Sequence, residues 1–299
     1  MHRLTWRYQL MKKPLFTGAC TALVTPFTNG KLNYSMLEKL LERQILAGIR
    51  TVVLAGTTGE APTLSDDEKA ALVCHARQFA GDSCTIIAGT GSNDTRHAIA
   101  LSRQAEDAGA DAVLVVSPYY NKATADGLYA HYAAVASAIH IPVILYNVPS
   151  RTGVDIPVSV YKRLSEISNI AGVKEASTDI TKIARIKGAC PADFAVWSGN
   201  DDQAVPVMSL GGLGVISVLS NVVPMETQAM AQAALAGDFD TAAALQIELM
   251  PLIELLFCEV NPIPVKTAMR ILGYDCGECR MPLTEITHAN LERLKAFLS

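Results

Sequence analysis

The residue with the clearest chemical promise is Lys174, within Asn169-Ile170-Ala171-Gly172-Val173-Lys174-Glu175-Ala176-Ser177. The apolar run from Ile170 to Val173 reads as a buried parallel strand that delivers the lysine at its C-terminal end. Taking an ammonium out of water costs several kcal/mol unless it is paired or neutral. Two readings are open. In one, a dry pocket favours the free amine, which attacks a carbonyl and forms a Schiff base. In the other, the stem is covered and the head reaches water or pairs with Glu175.

A Schiff-base enzyme must protonate a carbinolamine, expel water from it and move protons at the carbon beside the imine, so nearby hydroxyls carry information. Tyr146 lies near the end of the run Val143–Asn147, and Thr57 in Gly56-Thr57-Thr58-Gly59-Glu60 and Tyr120 in Ser117-Pro118-Tyr119-Tyr120-Asn121 could extend a hydroxyl chain. The plain alternatives are a packed ring with its hydroxyl in water and a simple turn between glycines. Arg151, in Tyr146-Asn147-Val148-Pro149-Ser150-Arg151-Thr152-Gly153, is expected on an exposed loop. There it either holds a carboxylate by two parallel hydrogen bonds or makes a surface ion pair. His2, His75, His97, His131, His140 and His288 place no histidine at a strand end with a nucleophile, and no carboxylate/histidine cluster has metal spacing. Cys276-Gly-Glu-Cys279 has no second CxxC or histidine pair to complete a zinc site. No metal is therefore assigned.

These residues need a scaffold. Apolar runs at Ala19–Thr25, Thr51–Ala55, Thr85–Gly89, Ala112–Ser117, Val143–Asn147, Ala171–Lys174, Ala195–Ser198 and Gly214–Val218 read as strands. Helical patterns lie between them at Tyr34–Ala47, Asp66–Ala80, Thr95–Ala108, Ala125–Ile139, Val158–Ile167, Ile180–Ala189 and Gln203–Leu210. Eight βα repeats predict an α/β fold, a (β/α)8 TIM barrel, whose active site gathers at the C-terminal ends of the strands. A doubly wound open sheet is the alternative, and its GxGxxG signature is missing. After Pro224 the strand signals stop. Met225–Leu235, Asp238–Phe257, Pro264–Leu272 and Thr284–Phe297 read as helices, so the barrel, residues 14–236, is followed by an all-helical appendage, residues 237–299.

Half the residues are hydrophobic, 18% are charged and the net charge is -4. That suits a globular protein with a covered sheet and argues against disorder and against nucleic acid as a partner. No apolar run reaches the length of a membrane span. Seven scattered cysteines fit free thiols in a reducing cytoplasm. The first residues lack the apolar stretch of a signal peptide. Met11-Lys12-Lys13 reads as the natural start, and residues 1–13 are taken as an N-terminal extension.

Taken together, Gly56–Glu60, Tyr146–Gly153 and Gly172-Val173-Lys174-Glu175 resemble the dihydrodipicolinate synthase/N-acetylneuraminate lyase family of Schiff-base barrel enzymes, over the chain from about Phe16 onward. Two threonines in Gly56–Glu60, Arg151 and Asn261-Pro-Ile-Pro-Val-Lys266 favour its synthase branch. Lys266, which follows two prolines at a helix start, is read as structural.

The resemblance implies condensation of pyruvate with L-aspartate 4-semialdehyde in lysine and diaminopimelate biosynthesis. In this reading Lys174 forms the imine and Tyr146 relays protons. Thr57 links Tyr146 to Tyr120, which reaches into a neighbouring subunit's site. Thr58 and backbone groups near Gly199 and Ile216 hold the pyruvate end, and Arg151 takes the carboxylate of the aldehyde. It implies no cofactor, and a homotetramer built from tight dimers. Where inhibited relatives have two histidines and a glutamate around bound lysine, Asp66, Lys69 and His97 stand here, while Asn93 and Tyr119 match. Weak or absent lysine feedback is the expectation. Another pyruvate-dependent aldolase acting on a sugar acid, or a non-catalytic keto-acid-binding paralogue, remains the rival reading.

Overall fold

The computed structural model describes residues 13–298. The expected N-terminal extension therefore lies almost wholly outside the described residues. Eight parallel strands close into a barrel: β1 (Gly18–Ala22), β2 (Thr51–Leu54), β3 (Thr85–Gly89), β4 (Ala112–Val116), β5 (Val143–Asn147), β6 (Ile170–Glu175), β7 (Ala195–Ser198) and β8 (Gly214–Ser217). Each pairs with its sequence neighbour, and β1 pairs with both β2 and β8. Closure excludes the open sheet.

Helices return the chain after each strand: α1 (Tyr34–Leu46), α2 (Asp66–Ala80), α3 (Thr95–Asp107), α4 (Ala125–Ser137), α5 (Val158–Leu164), α6 (Ile180–Ala189), α7 (Ala204–Ser209) and α8 (Pro224–Leu235). Side-chain caps set many of their starts. Asn33, Asp94, Thr124 and Asp179 each accept a first-turn N–H, and Ser65 with Glu68 forms a reciprocal capping box on α2.

Because strand side chains alternate, the barrel has two cores. The larger lies between the sheet and the helices. The smaller fills the lumen with Cys20, Val53, Leu114, Ile144, Trp197 and Ile216. Phe16, just before β1, stacks on Trp197 with ring centroids 4.7 Å apart.

The first strand stops at Ala22 rather than Thr25. Beyond it the Thr25 hydroxyl donates to Gly59 O at 2.7 Å, and Phe27–Thr28 pairs antiparallel with Lys31–Leu32 in a small hairpin that periodicity did not reveal. Three helices follow the barrel: α9 (Phe239–Leu256), α10 (Ile263–Ile271) and α11 (His288–Leu298). The last begins at His288, not Thr284. Glu259 Oε1 accepts from the N–H and hydroxyl of Thr287 and from Asn290 Nδ2, which anchors the start of that helix to the end of α9. No helix among the described residues is long and apolar enough to cross a membrane.

Candidate active site

Lys174 is the penultimate residue of β6, in register with Tyr146 of β5 and Trp197 of β7. Its neighbours fix which way it points. Tyr146 and Trp197 belong to the lumen cluster, and Lys174 Nζ lies 4.4 Å from the centroid of the Tyr146 ring. The side chain is buried, and among the described residues Nζ has no ion-pair partner.

Glu175 is not that partner, because alternation turns it to the outer face of the strand. There it accepts hydrogen bonds from Asn147 Nδ2 at 2.8 Å, Tyr161 Oη at 3.0 Å and Ser177 N at 2.9 Å, with Lys182 Nζ at 3.8 Å. Lys182 also pairs with Asp155. Burial and the Glu175 charge push the Tyr161 hydroxyl well above its usual range. This network ties the ends of β5 and β6 together from outside, which holds Tyr146 and Lys174 side by side within.

Gly199, just past β7, donates its N–H to Glu175 O at 2.7 Å. A Cβ at this position would come within 2.7 Å of Ala176 Cβ and 3.1 Å of Lys174 Cε, so only glycine lets this turn lie against the lysine stem. Ile216 is fully buried in β8, opposite Cys20 of β1. Asp201 Oδ2 accepts from Val218 N at 2.9 Å and Leu219 N at 3.0 Å, which fixes the turn after Ile216. Burial raises the Asp201 carboxyl above its usual range, while hydrogen bonds and the nearby Lys174 charge oppose that rise.

The other expected residues form the rim. Thr58 is buried and its Oγ1 accepts from Asn261 Nδ2 at 3.0 Å. Thr57 is half-buried. Arg151 is exposed, on a single helical turn, Pro149–Thr152, rather than on a loop. Gly153 ends that turn at φ +70, and Arg151 Nη2 donates to Asn261 O at 3.3 Å. Tyr120 stands apart, 88% exposed and with φ +71. Among the described residues no hydrogen bond joins Thr57, Tyr146 and Tyr120 within the chain.

The model of the Dihydrodipicolinate synthetase family matches residues 15–299. The chain belongs to that family. It is 48% identical over 288 residues to 4-hydroxy-tetrahydrodipicolinate synthase of Acetivibrio thermocellus, covering 96% of this chain and 98% of the relative. Among solved structures, it resembles the chloride-inhibited dihydrodipicolinate synthase of Acinetobacter baumannii complexed with pyruvate, with TM-score 0.92, 43% identity and 94% and 97% of the two chains covered. It also resembles the enzyme of Cyanidioschyzon merolae with lysine bound, with TM-score 0.92, 39% identity and coverage of 95% and 97%.

In this member of the dihydrodipicolinate synthetase family, two contributors to the site escaped the sequence reading. Asn261 opens the segment that favours the synthase branch, but nothing in its spacing points to Thr58. Asp201 follows β7, and its bonds to Val218 and Leu219 reach the segment after the neighbouring strand β8, a contact that spacing along the chain does not show.

Proposed function

We propose that this chain is a lyase that condenses pyruvate with L-aspartate 4-semialdehyde through a Schiff base on Lys174, giving 4-hydroxy-tetrahydrodipicolinate for lysine and diaminopimelate biosynthesis. The observation that carries the reading is the burial of Lys174 in the lumen beside Tyr146, without an ion-pair partner among the described residues. The Acinetobacter baumannii relative is complexed with pyruvate, and membership of the family implies the aldehyde as the second substrate.

The Lys174 amine attacks the keto carbon of pyruvate, and the carbinolamine loses water to an iminium. The iminium draws electrons from the adjacent methyl group, which gives up a proton and becomes an enamine carbon that attacks the aldehyde. The amine of the aldehyde substrate then adds to the regenerated iminium, closes the ring and displaces Lys174 as the free amine. The iminium is itself the electron sink, so the sequence of steps requires no cofactor. In this reading Tyr146 relays protons, with Thr57 linking it to Tyr120 of a neighbouring subunit. Thr58 and backbone groups at Gly199 and Ile216 hold the pyruvate end, and Arg151 receives the carboxylate of the aldehyde. The 88% exposure of Tyr120 fits a side chain placed for another subunit. We read the assembly as a homotetramer of tight dimers in the cytoplasm, with residues 14–236 as the catalytic barrel and 237–299 as the helical domain that braces it.

Lysine feedback is read as weak. Asp66, which opens α2, lies 2.9 Å from His97 Nε2 and 3.8 Å from Lys69 Nζ. The carboxylate is thus committed to local partners, and the cationic Lys69 repels the ammonium groups of an incoming lysine.

Borohydride reduction in the presence of pyruvate, followed by peptide mass mapping, tests the central claim. The pyruvate-derived mass is expected on the peptide containing Lys174. Labelling of a different lysine, or none, overturns it.

A further inference from the structure

Asn261 lies between α9 and α10, outside the barrel, yet it touches two rim residues that follow different strands, β2 and β5. Its Nδ2 donates to Thr58 Oγ1 at 3.0 Å, and its backbone oxygen accepts from Arg151 Nη2 at 3.3 Å. The residue is buried, and its Oδ1 has no hydrogen-bond partner among the described residues. Buried polar atoms are rarely left unmatched. Here the amide is turned so that its donor serves Thr58 at the expense of its own oxygen.

That orientation has a chemical consequence. A threonine hydroxyl has one proton to give and lone pairs to receive. Because Oγ1 receives from Asn261, its own proton is not required there and remains available to an acceptor in the site. The carboxylate of a keto acid accepts only. The Asn261 carbonyl, in turn, engages one of the five guanidinium N–H groups of Arg151 and leaves the others for a second carboxylate.

We propose that Asn261 is a positioning residue for both substrates: its side chain sets the Thr58 hydroxyl as a donor to pyruvate, and its backbone carbonyl orients Arg151 for the aldehyde. The proposal rests on the function given above and assigns the two ends of the site to two different atoms of one residue. It makes the segment joining α9 to α10 part of substrate recognition.

The division between side chain and backbone is testable. Asn261→Ala deletes the bond to Thr58 and keeps the carbonyl facing Arg151. The expected result is about a tenfold rise in KM for pyruvate, with the KM for the aldehyde changed less than twofold. Asn261→Asp preserves the shape but can only accept. It takes the Thr58 proton out of the site and adds an anion near the pyruvate carboxylate, so it raises the pyruvate KM further than alanine does. In the double variant Asn261→Ala/Thr58→Val, the pyruvate KM should equal that of Thr58→Val alone, since Asn261 acts through the hydroxyl.

The pyruvate concentration that half-saturates borohydride trapping on Lys174 reads the same effects without any aldehyde, and thermal melting confirms that each variant is folded. Multiplied effects in the double variant, or equal rises in both KM values for Asn261→Ala, overturn the proposal. Unchanged half-saturation in folded Asn261→Asp does so as well. Absence of trapping in the unsubstituted chain overturns both this inference and the function it rests on, whereas normal trapping that is insensitive to Asn261 overturns this inference alone.

Discussion

Lys266 Nζ lies 2.8 Å from Glu60 Oε1, with side-chain exposures of only 2% and 1%. Glu60 closes the loop that carries Thr57 and Thr58, and Lys266 belongs to α10. The pair is well satisfied: Lys266 also donates to Glu278 O at 3.0 Å and faces the Phe27 ring, while Glu60 Oε2 accepts from Arg280 N at 2.8 Å. The C-terminal helices are therefore bonded to the loop carrying Thr57 and Thr58 through a buried charge pair.

Removing one partner should cost far more than removing both. Lys266→Met strands a buried carboxylate, and we expect a loss of about 3–5 kcal/mol in unfolding free energy. Lys266→Met combined with Glu60→Gln should recover a substantial part of it. Urea denaturation of these two variants and of Glu60→Gln alone checks this, and additive losses would show that the charges are not coupled.

Arg151→Ala is expected to raise KM for L-aspartate 4-semialdehyde by about ten- to hundredfold, the scale of a lost charged hydrogen bond. Trapping of pyruvate on Lys174 should survive, since Arg151 is placed at the rim. Steady-state kinetics with each substrate varied, beside the trapping assay, separates the two effects. Loss of imine formation would reassign the arginine.

The exposure of Tyr120 predicts shared sites. Lys174→Ala and Tyr120→Phe chains, each with little activity, should partly complement when mixed under conditions that exchange subunits. One class of heterodimer site then keeps both groups. Activity no greater than that of the separate variants would mean that the site does not borrow this residue.

L-lysine titrated into the condensation assay should inhibit weakly, with little effect below millimolar concentration. The basis is the engagement of Asp66 by His97 and Lys69. Glutamate at the histidine's place, His97→Glu, should strengthen inhibition by restoring a carboxylate for a ligand ammonium. Strong inhibition of the unsubstituted chain at sub-millimolar lysine would contradict the reading.

His131 of α4 is buried, with Nδ1 2.9 Å from Thr95 Oγ1 and Nε2 without a hydrogen-bond partner among the described residues. Burial pushes its pKa down to about 4 from an ordinary value near 6.5. Between those values the unfolded chain binds more protons than the folded one, so stability falls as pH drops through that window and is fully retained above it. The contribution should be on the order of 1–2 kcal/mol. Unfolding free energies measured at pH 7 and pH 5 should differ less in His131→Phe than in the unsubstituted chain, and an equal difference would remove His131 as a cause.

The barrel was legible in the chain because its signal is local and repeated. Buried parallel strands read as short apolar runs, amphipathic helices separate them, and a lysine ending one such run is costly enough to stand out. Family motifs then supplied roles that no single residue could. Which face each strand residue takes was decided by the closed sheet, and this sends Glu175 outward to Tyr161 and Lys182 while Lys174 turns to Tyr146 within. Contacts between segments far apart in sequence were equally illegible beforehand. Asn261 on Thr58 and Arg151, Asp201 on Val218 and Leu219, and Lys266 on Glu60 leave no periodic trace, because a hydrogen bond depends on where two side chains meet in space and not on their spacing along the chain.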